Sequence, residues 1–138
     1  MKANCHDEVV QLHQFFEEWL GDKLAKTEAN YERLTAVINP DFHIISPDGQ
    51  VTTYEPLLTS LWQAHASRPN FRLWVKEVTV RPLSSQLALT TYEEWQELEG
   101  KVTARISTAV FRKKANTPHG VEWLHVHETW LQIRDAGV

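Results

Sequence analysis

Residues Val121 to Ile133, read as V-E-W-L-H-V-H-E-T-W-L-Q-I, constrain the fold of this chain more than any other stretch. Strand side chains point to opposite faces with a period of two, so Trp123, His125, His127 and Thr129 share one face. Leu124, Val126, Glu128 and Trp130 share the other. A segment this long and this alternating is a half-buried strand, with one face in a core and the other toward water or a partner.

The rest of the second half repeats the pattern. Phe71 to Val80, Gln86 to Leu98 and Val102 to Lys113 are rich in Val, Thr, Ile, Trp and Tyr, and turn chemistry separates them. With the last segment they predict a four-stranded antiparallel meander. The first half is helical in pattern. Val9, Leu12, Phe16 and Trp19 recur at three- and four-residue steps, predicting an amphipathic helix from Asp7 to Leu20 that stops at Gly21. A second helix runs from Thr27 or Glu28 to Ile38, where Asn39-Pro40 ends it. Phe42 to Ser46 is a short strand and Pro47-Asp48-Gly49-Gln50 a turn. Tyr54 to His65 is a third helix.

These elements fill one domain, residues 1–138, of α+β class: three N-terminal helices packed on one curved, mainly antiparallel sheet. Strands of about 12 residues extend about 40 Å. A short helix cannot cover that length, so the uncovered end of the concave face is the expected pocket.

Composition narrows the partners. Fourteen Lys and Arg against 18 Asp and Glu give a net charge of -4 with no basic cluster, which argues against nucleic acid. No apolar run approaches the ~18 residues of a membrane span, and the first residues lack a secretory leader's apolar stretch, so a cytoplasmic location is expected. Cys5 is the only cysteine. Neither an intrachain disulfide nor a cysteine-rich metal site is available.

Placing Glu99-Gly100 at a hairpin tip sets Trp95 opposite Ala104, Glu94 opposite Arg105 and Tyr92 opposite Ser107. Two faces follow. Leu87, Leu89, Thr91, Glu93, Trp95, Ile106, Thr108, Val110, Leu124, Val126, Glu128 and Trp130 form one; Tyr92, Glu94, Arg105, Phe111, Trp123, His125, His127 and Thr129 form the other. The first is more aliphatic and is expected to be the concave core side. The second is expected to be a dimer face carrying a Glu94–Arg105 ion pair; a one-residue slip would exchange them and move Tyr92, Glu94, Arg105 and His127 into the pocket.

The order of elements, with Asn39-Pro40-Asp41-Phe42, Pro47-Asp48-Gly49 and Trp123-Leu-His-Val-His127-Glu-Thr129, resembles the nuclear transport factor 2-like superfamily over nearly the whole chain. The ending resembles ketosteroid isomerase-like and SnoaL-like proteins, and the association domain of calcium/calmodulin-dependent protein kinase II. The resemblance implies a cystatin-like cone, pairing as a homodimer through the outer sheet face, and no metal or other cofactor. Glu128 stands where the kinase domain has an arginine, which reverses the ligand charge preference. The tyrosine that ketosteroid isomerase-like members carry on the first helix is absent; Phe15, Phe16 and Trp19 occupy that region.

On the expected concave side, Tyr54, Trp62, Thr91, Trp95, Thr108 and Trp130 are the candidate pocket residues, with Trp74 a further aromatic wall. Glu93 and Glu128 are the candidate proton shuttles, since burial raises a carboxyl pKa toward neutrality. The alternative is that both glutamates are solvated or paired. Asp41 is a further candidate carboxylate, and His43 and His65 either cap or line a cavity. His125 and His127, two apart on one face, have metal-ligand spacing, with Glu94 as a third group; sheet histidines at this spacing are otherwise structural. Two functions follow: a homodimeric domain that binds a small apolar ligand or serves assembly, or a cofactor-independent isomerase, cyclase or dehydratase acting on a small hydrophobic carbonyl compound.

Overall fold

A computed structural model describes residues 1–133. Helix α1 spans Lys2–Leu20 and buries Cys5, Val9, Leu12, Phe15 and Trp19 along one stripe. It starts five residues earlier than the apolar repeat alone predicts, because Cys5 continues the stripe by one more turn. Gly21 ends it where a Cβ would sit 2.6 Å from the Glu17 carbonyl oxygen. Helix α2, Glu28–Thr35, is capped by Thr27, whose hydroxyl accepts from the Asn30 N–H at 3.2 Å.

Helix α2 stops before the expected Ile38, and Asn39-Pro40 lies within a strand instead of ending a helix. Strand β1 runs Ile38–Ile45 and absorbs the proline in an irregularity between Ile38 and His43, where the ladder can spare an N–H. A hairpin leads to β2, Val51–Thr53, and then to α3, Tyr54–Gln63. The helices are thus not all N-terminal, since α3 follows two strands. The meander is β3 Arg72–Pro82, β4 Leu87–Leu98, β5 Lys101–Lys113 and β6 Val121–Trp130.

One six-stranded sheet results, in the order β2-β1-β6-β5-β4-β3. All neighbours are antiparallel except β1 and β6, which are parallel. Register across the β4–β5 hairpin is as the turn predicts: Trp95 faces Ala104, Glu94 faces Arg105 and Tyr92 faces Ser107. Glu99 and Gly100 form its tip at φ 53° and 80°, the left-handed pair that a two-residue hairpin demands.

On β4 and β5 the two sheet faces are the reverse of the sequence expectation, while on β6 Val126 and Glu128 face inward and His125 and His127 outward. Ala88, Thr90, Tyr92 and Glu94 of β4 and Ser107, Ala109 and Phe111 of β5 are buried and face the helices. Leu89, Thr91, Glu93, Trp95, Ile106, Thr108 and Val110 face outward. Strand β6 does not alternate strictly either. Phe111 faces Trp123 and Val110 faces His125, so Leu124 is an extra residue in a bulge. That bulge brings Trp123 and Glu128, of opposite parity, to the same inner face. No helix is long and apolar enough to cross a membrane among the described residues.

Candidate functional site

Helix α1 carries polar side chains on its buried stripe, and each must find a partner in the sheet because an unpaired buried polar group is costly. Glu8 is completely buried. Arg33 of α2 donates to its two oxygens at 2.8 and 3.2 Å, and the Trp123 indole N–H donates at 2.8 Å. Glu17 accepts from the Leu73 backbone N–H at 2.8 Å, fixing α1 to β3.

His13, one turn further along α1 than Val9, donates through Nδ1 to the Val9 carbonyl at 2.7 Å and meets Glu94 Oε1 through Nε2 at 2.8 Å. A carbonyl can only accept, so Nδ1 carries a proton, and the carboxylate on Nε2 completes an imidazolium. Glu94 Oε2 accepts from Gln96 at 2.6 Å and lies 3.4 Å from Arg105 Nε. Arg105 continues to Glu128 at 3.1 Å, and Ser107 donates to the other Glu128 oxygen at 3.1 Å. Tyr92 stands edge-on to His13, ring centres 5.2 Å apart.

The electrostatics follow from this chain of contacts. Burial pushes the His13 imidazole down, but the Glu94 hydrogen bond and charge, the Val9 carbonyl and the Glu128 charge outweigh it, and the net direction is up. Burial likewise pushes Glu94 up, against the His13 hydrogen bond and charge, the Arg105 charge and the Gln96 amide, which hold it at about 2. Glu128 moves the other way. Burial and the Glu94 charge raise it, and Arg105 and Ser107 only partly offset them. Two neighbouring carboxyls are thus driven apart.

His13, Tyr92, Glu94 and Glu128 line a cavity closed by Leu12, Phe16, Ile44, Leu57 and Leu61. Its volume is about 70 Å³, far below the ~300–1,000 Å³ of ordinary ligand sites. It has room for water, not for a ring compound. A larger groove of about 660 Å³ lies between α2 and α3, lined by Glu28, Ala29, Tyr31, Glu32, Thr35 and Trp62. Lys26 stands 5.1 Å from the centre of the Trp62 ring.

The structure therefore divides the expected site residues. Glu128, Tyr92, Glu94 and Trp123 line the inner cavity, and Arg105 bridges its two carboxylates. Glu93, Thr91, Trp95 and Thr108 lie on the outer face, where Glu93 accepts from the Trp95 indole at 2.9 Å and Thr91 meets Thr79 at 2.6 Å. Glu93 is thus solvent-side, with no path to the cavity. Trp74 stacks on Trp95 on that same face, ring centres 6.3 Å apart. Trp130 is 46% exposed, beneath the Arg105 guanidinium and 3.3 Å from Asp48. Tyr54 packs half-buried against the core, and Trp62 lines the groove instead.

Asp41 is exposed, and its carbonyl accepts from His43. His65 donates to the Leu24 carbonyl at 2.6 Å and packs on Trp19. His125 and His127 face outward, so Glu94, on the opposite face, cannot be their third ligand. The expected Glu94–Arg105 pair exists but points inward. His13 and Glu8 escaped the sequence reading, although a His and a Glu within an otherwise apolar helical stripe each demand a buried partner.

Residues 5–132 match the family model described as sucrose-6-phosphate phosphohydrolase C-terminal. The chain belongs to that family. Among curated proteins it is similar to sucrose-phosphatase 1 of Nicotiana tabacum, 29% identical over 128 residues, covering 91% of this chain and 30% of the relative. Sucrose-phosphatase 2 of the same plant is 30% identical over 128 residues, with 90% and 30% covered. The chain thus spans about a third of the length of these relatives. Among solved structures it is similar to an NTF-2 like protein of unknown function from Pseudomonas aeruginosa, at TM-score 0.83 and 21% identity, covering 94% of this chain and 99% of that one. The hub domain of calcium/calmodulin-dependent protein kinase II from S. rosetta follows at TM-score 0.61 and 18% identity, covering 81% and 92%. The fold is accordingly NTF2-like and cystatin-like.

Membership of the sucrose-6-phosphate phosphohydrolase C-terminal family overturns both functions expected from the sequence. Neither the apolar-ligand or assembly domain nor the isomerase on a hydrophobic carbonyl compound fits it. The physical reason is in the site: the inner cavity is small, and its carboxylates are already paired.

Proposed function

We propose that this chain is a non-hydrolytic, saccharide-recognising domain that serves the hydrolysis of sucrose 6-phosphate. The observation that carries the reading is the family match over residues 5–132, on relatives named for sucrose-phosphatase of which the chain covers 30%. Phosphoryl transfer is driven by cationic groups aimed at the equatorial oxygens. The inner cavity offers the opposite, since Arg105 is held between Glu94 and Glu128.

The groove between α2 and α3 suits a neutral sugar better. Its volume of about 660 Å³ admits a disaccharide. A sugar ring that displaces the Lys26 ammonium from the Trp62 indole lays its weakly positive C–H face on the negative ring face, and Glu28 and Glu32 accept hydrogen bonds from its hydroxyls. Self-association belongs to the same reading: the outer face carries Trp74, Trp95, Leu89 and a 40% exposed Ile106, enough apolar surface to pair with a second copy.

Calorimetric titration with sucrose, sucrose 6-phosphate and inorganic phosphate tests the proposal, alongside a phosphate-release assay with magnesium. Both sugars bind with millimolar or tighter affinity, inorganic phosphate does not, and the chain alone releases no phosphate. Phosphate release from sucrose 6-phosphate by this chain, or silence toward both sugars, would overturn it.

A further inference from the structure

His125 and His127 lie two apart on the outer face of β6, and the recognition site described above uses neither. The structure adds a third histidine beside them. His43 of β1 sits directly opposite His125, and Ile45 opposite His127, in the parallel β1–β6 ladder. Side chains at matched positions of neighbouring strands share a face, with strands about 4.8 Å apart and i, i+2 positions about 6.6 Å apart. Three imidazoles therefore rise from one corner of the sheet. Two from a single strand and one from its neighbour are a set that holds a zinc ion while leaving a coordination position open to water.

A second observation points the same way. His43 donates its Nδ1–H to the Asp41 backbone carbonyl at 2.8 Å. That bond fixes the tautomer and leaves the Nε2 lone pair free, the outer-shell arrangement of metal-ligating histidines. The flanking positions carry no charge: Thr53 faces His43 from β2, and Val110 and Thr108 face His125 and His127 from β5.

We propose that His43, His125 and His127 form a binding site for a divalent transition-metal ion, zinc being the best match to three imidazoles. In the conformation described, no three such side chains already surround one point among the described residues. The site closes when the half-buried His125 and exposed His127 rings turn onto His43, so it is weaker than a preformed structural zinc site.

Titration of the whole chain with zinc by calorimetry, and with cobalt by visible absorption, tests this. One ion per chain binds at neutral pH and is released on acidification, because ligation needs neutral imidazoles. His43→Gln and His127→Gln each weaken binding at least about tenfold, with far-ultraviolet dichroism unchanged. His119→Gln, which alters a histidine bonded to Gln11 on another surface, leaves it intact. Absence of binding at neutral pH, or binding that survives His43→Gln, would overturn the proposal.

Discussion

Glu8→Ala should be among the most destabilising single substitutions in this domain. The carboxylate is fully buried and accepts from Arg33 at 2.8 and 3.2 Å and from the Trp123 indole at 2.8 Å. Truncation leaves a guanidinium without its counter-charge and a buried N–H without an acceptor. The first costs about 3–5 kcal/mol for a buried pair, at the lower end here because the Arg33 side chain is 19% exposed and regains some water. The orphaned indole adds about 1–3 kcal/mol, and the two are not fully additive. A loss of about 4 kcal/mol is expected, a large share of the ~5–15 kcal/mol that holds a domain folded. Urea denaturation would show it as a fall in midpoint at unchanged slope, and melting as a drop of about 10 °C or more. Replacing all three partners by apolar groups, Glu8→Leu with Arg33→Met and Trp123→Phe, should recover most of the loss, because no unpaired polar group remains. A cost below about 1 kcal/mol for Glu8→Ala, or a triple variant as unstable as the single, would refute the reasoning.

The buried His13–Glu94 pair makes stability depend on pH in a defined window. A raised His13 pKa contributes stability that is complete below the ordinary 6.5 and lost as pH climbs through the folded value. Glu94, held at about 2, contributes stability that is present above the ordinary 4.5 and lost as pH falls toward 2. The stability gap between the native chain and Glu94→Gln, measured by urea titration, should therefore peak between those two ordinary values; a gap independent of pH would contradict the pairing. At neutral pH Glu128→Gln should be much milder than Glu94→Gln in the same assay, because it relieves repulsion from Glu94 while its amide oxygen still accepts from Arg105 and its NH2 can donate to the Ser107 hydroxyl, which turns to accept. At the hairpin tip, Gly100→Val should lower stability by about 1 kcal/mol or more, read from the denaturation midpoint, since φ is 80° there.

Sequence patterning reached the architecture because the relevant signals are local. The Glu99-Gly100 tip alone fixes the β4–β5 register, and the apolar stripe of α1 fixes its inner face. The choice of sheet face was not legible in the same way. Leu87, Leu89 and Val110 look more like a core than Tyr92, Glu94 and Arg105 do, yet the second set is inside. What makes it fit is His13, contributed by a helix about 80 positions away, which pairs with Glu94. Aliphatic content cannot report on pairing between distant segments. The Leu124 bulge added a second inversion: strict alternation separates Trp123 from Glu128, and one extra residue reunites them. The small size of the inner cavity was equally hidden, since it depends on how closely Leu57 and Leu61 of α3 approach Phe16 of α1.

The most direct test of the account is a nitrogen-15 magnetic resonance titration of the chain with sucrose, following the Trp62 side-chain indole. Saturable shifts confined to Trp62 and its groove neighbours Tyr31 and Thr35, abolished by Trp62→Ala, are predicted. Shifts centred on His13 and Glu94, or none at any sucrose concentration, would contradict it.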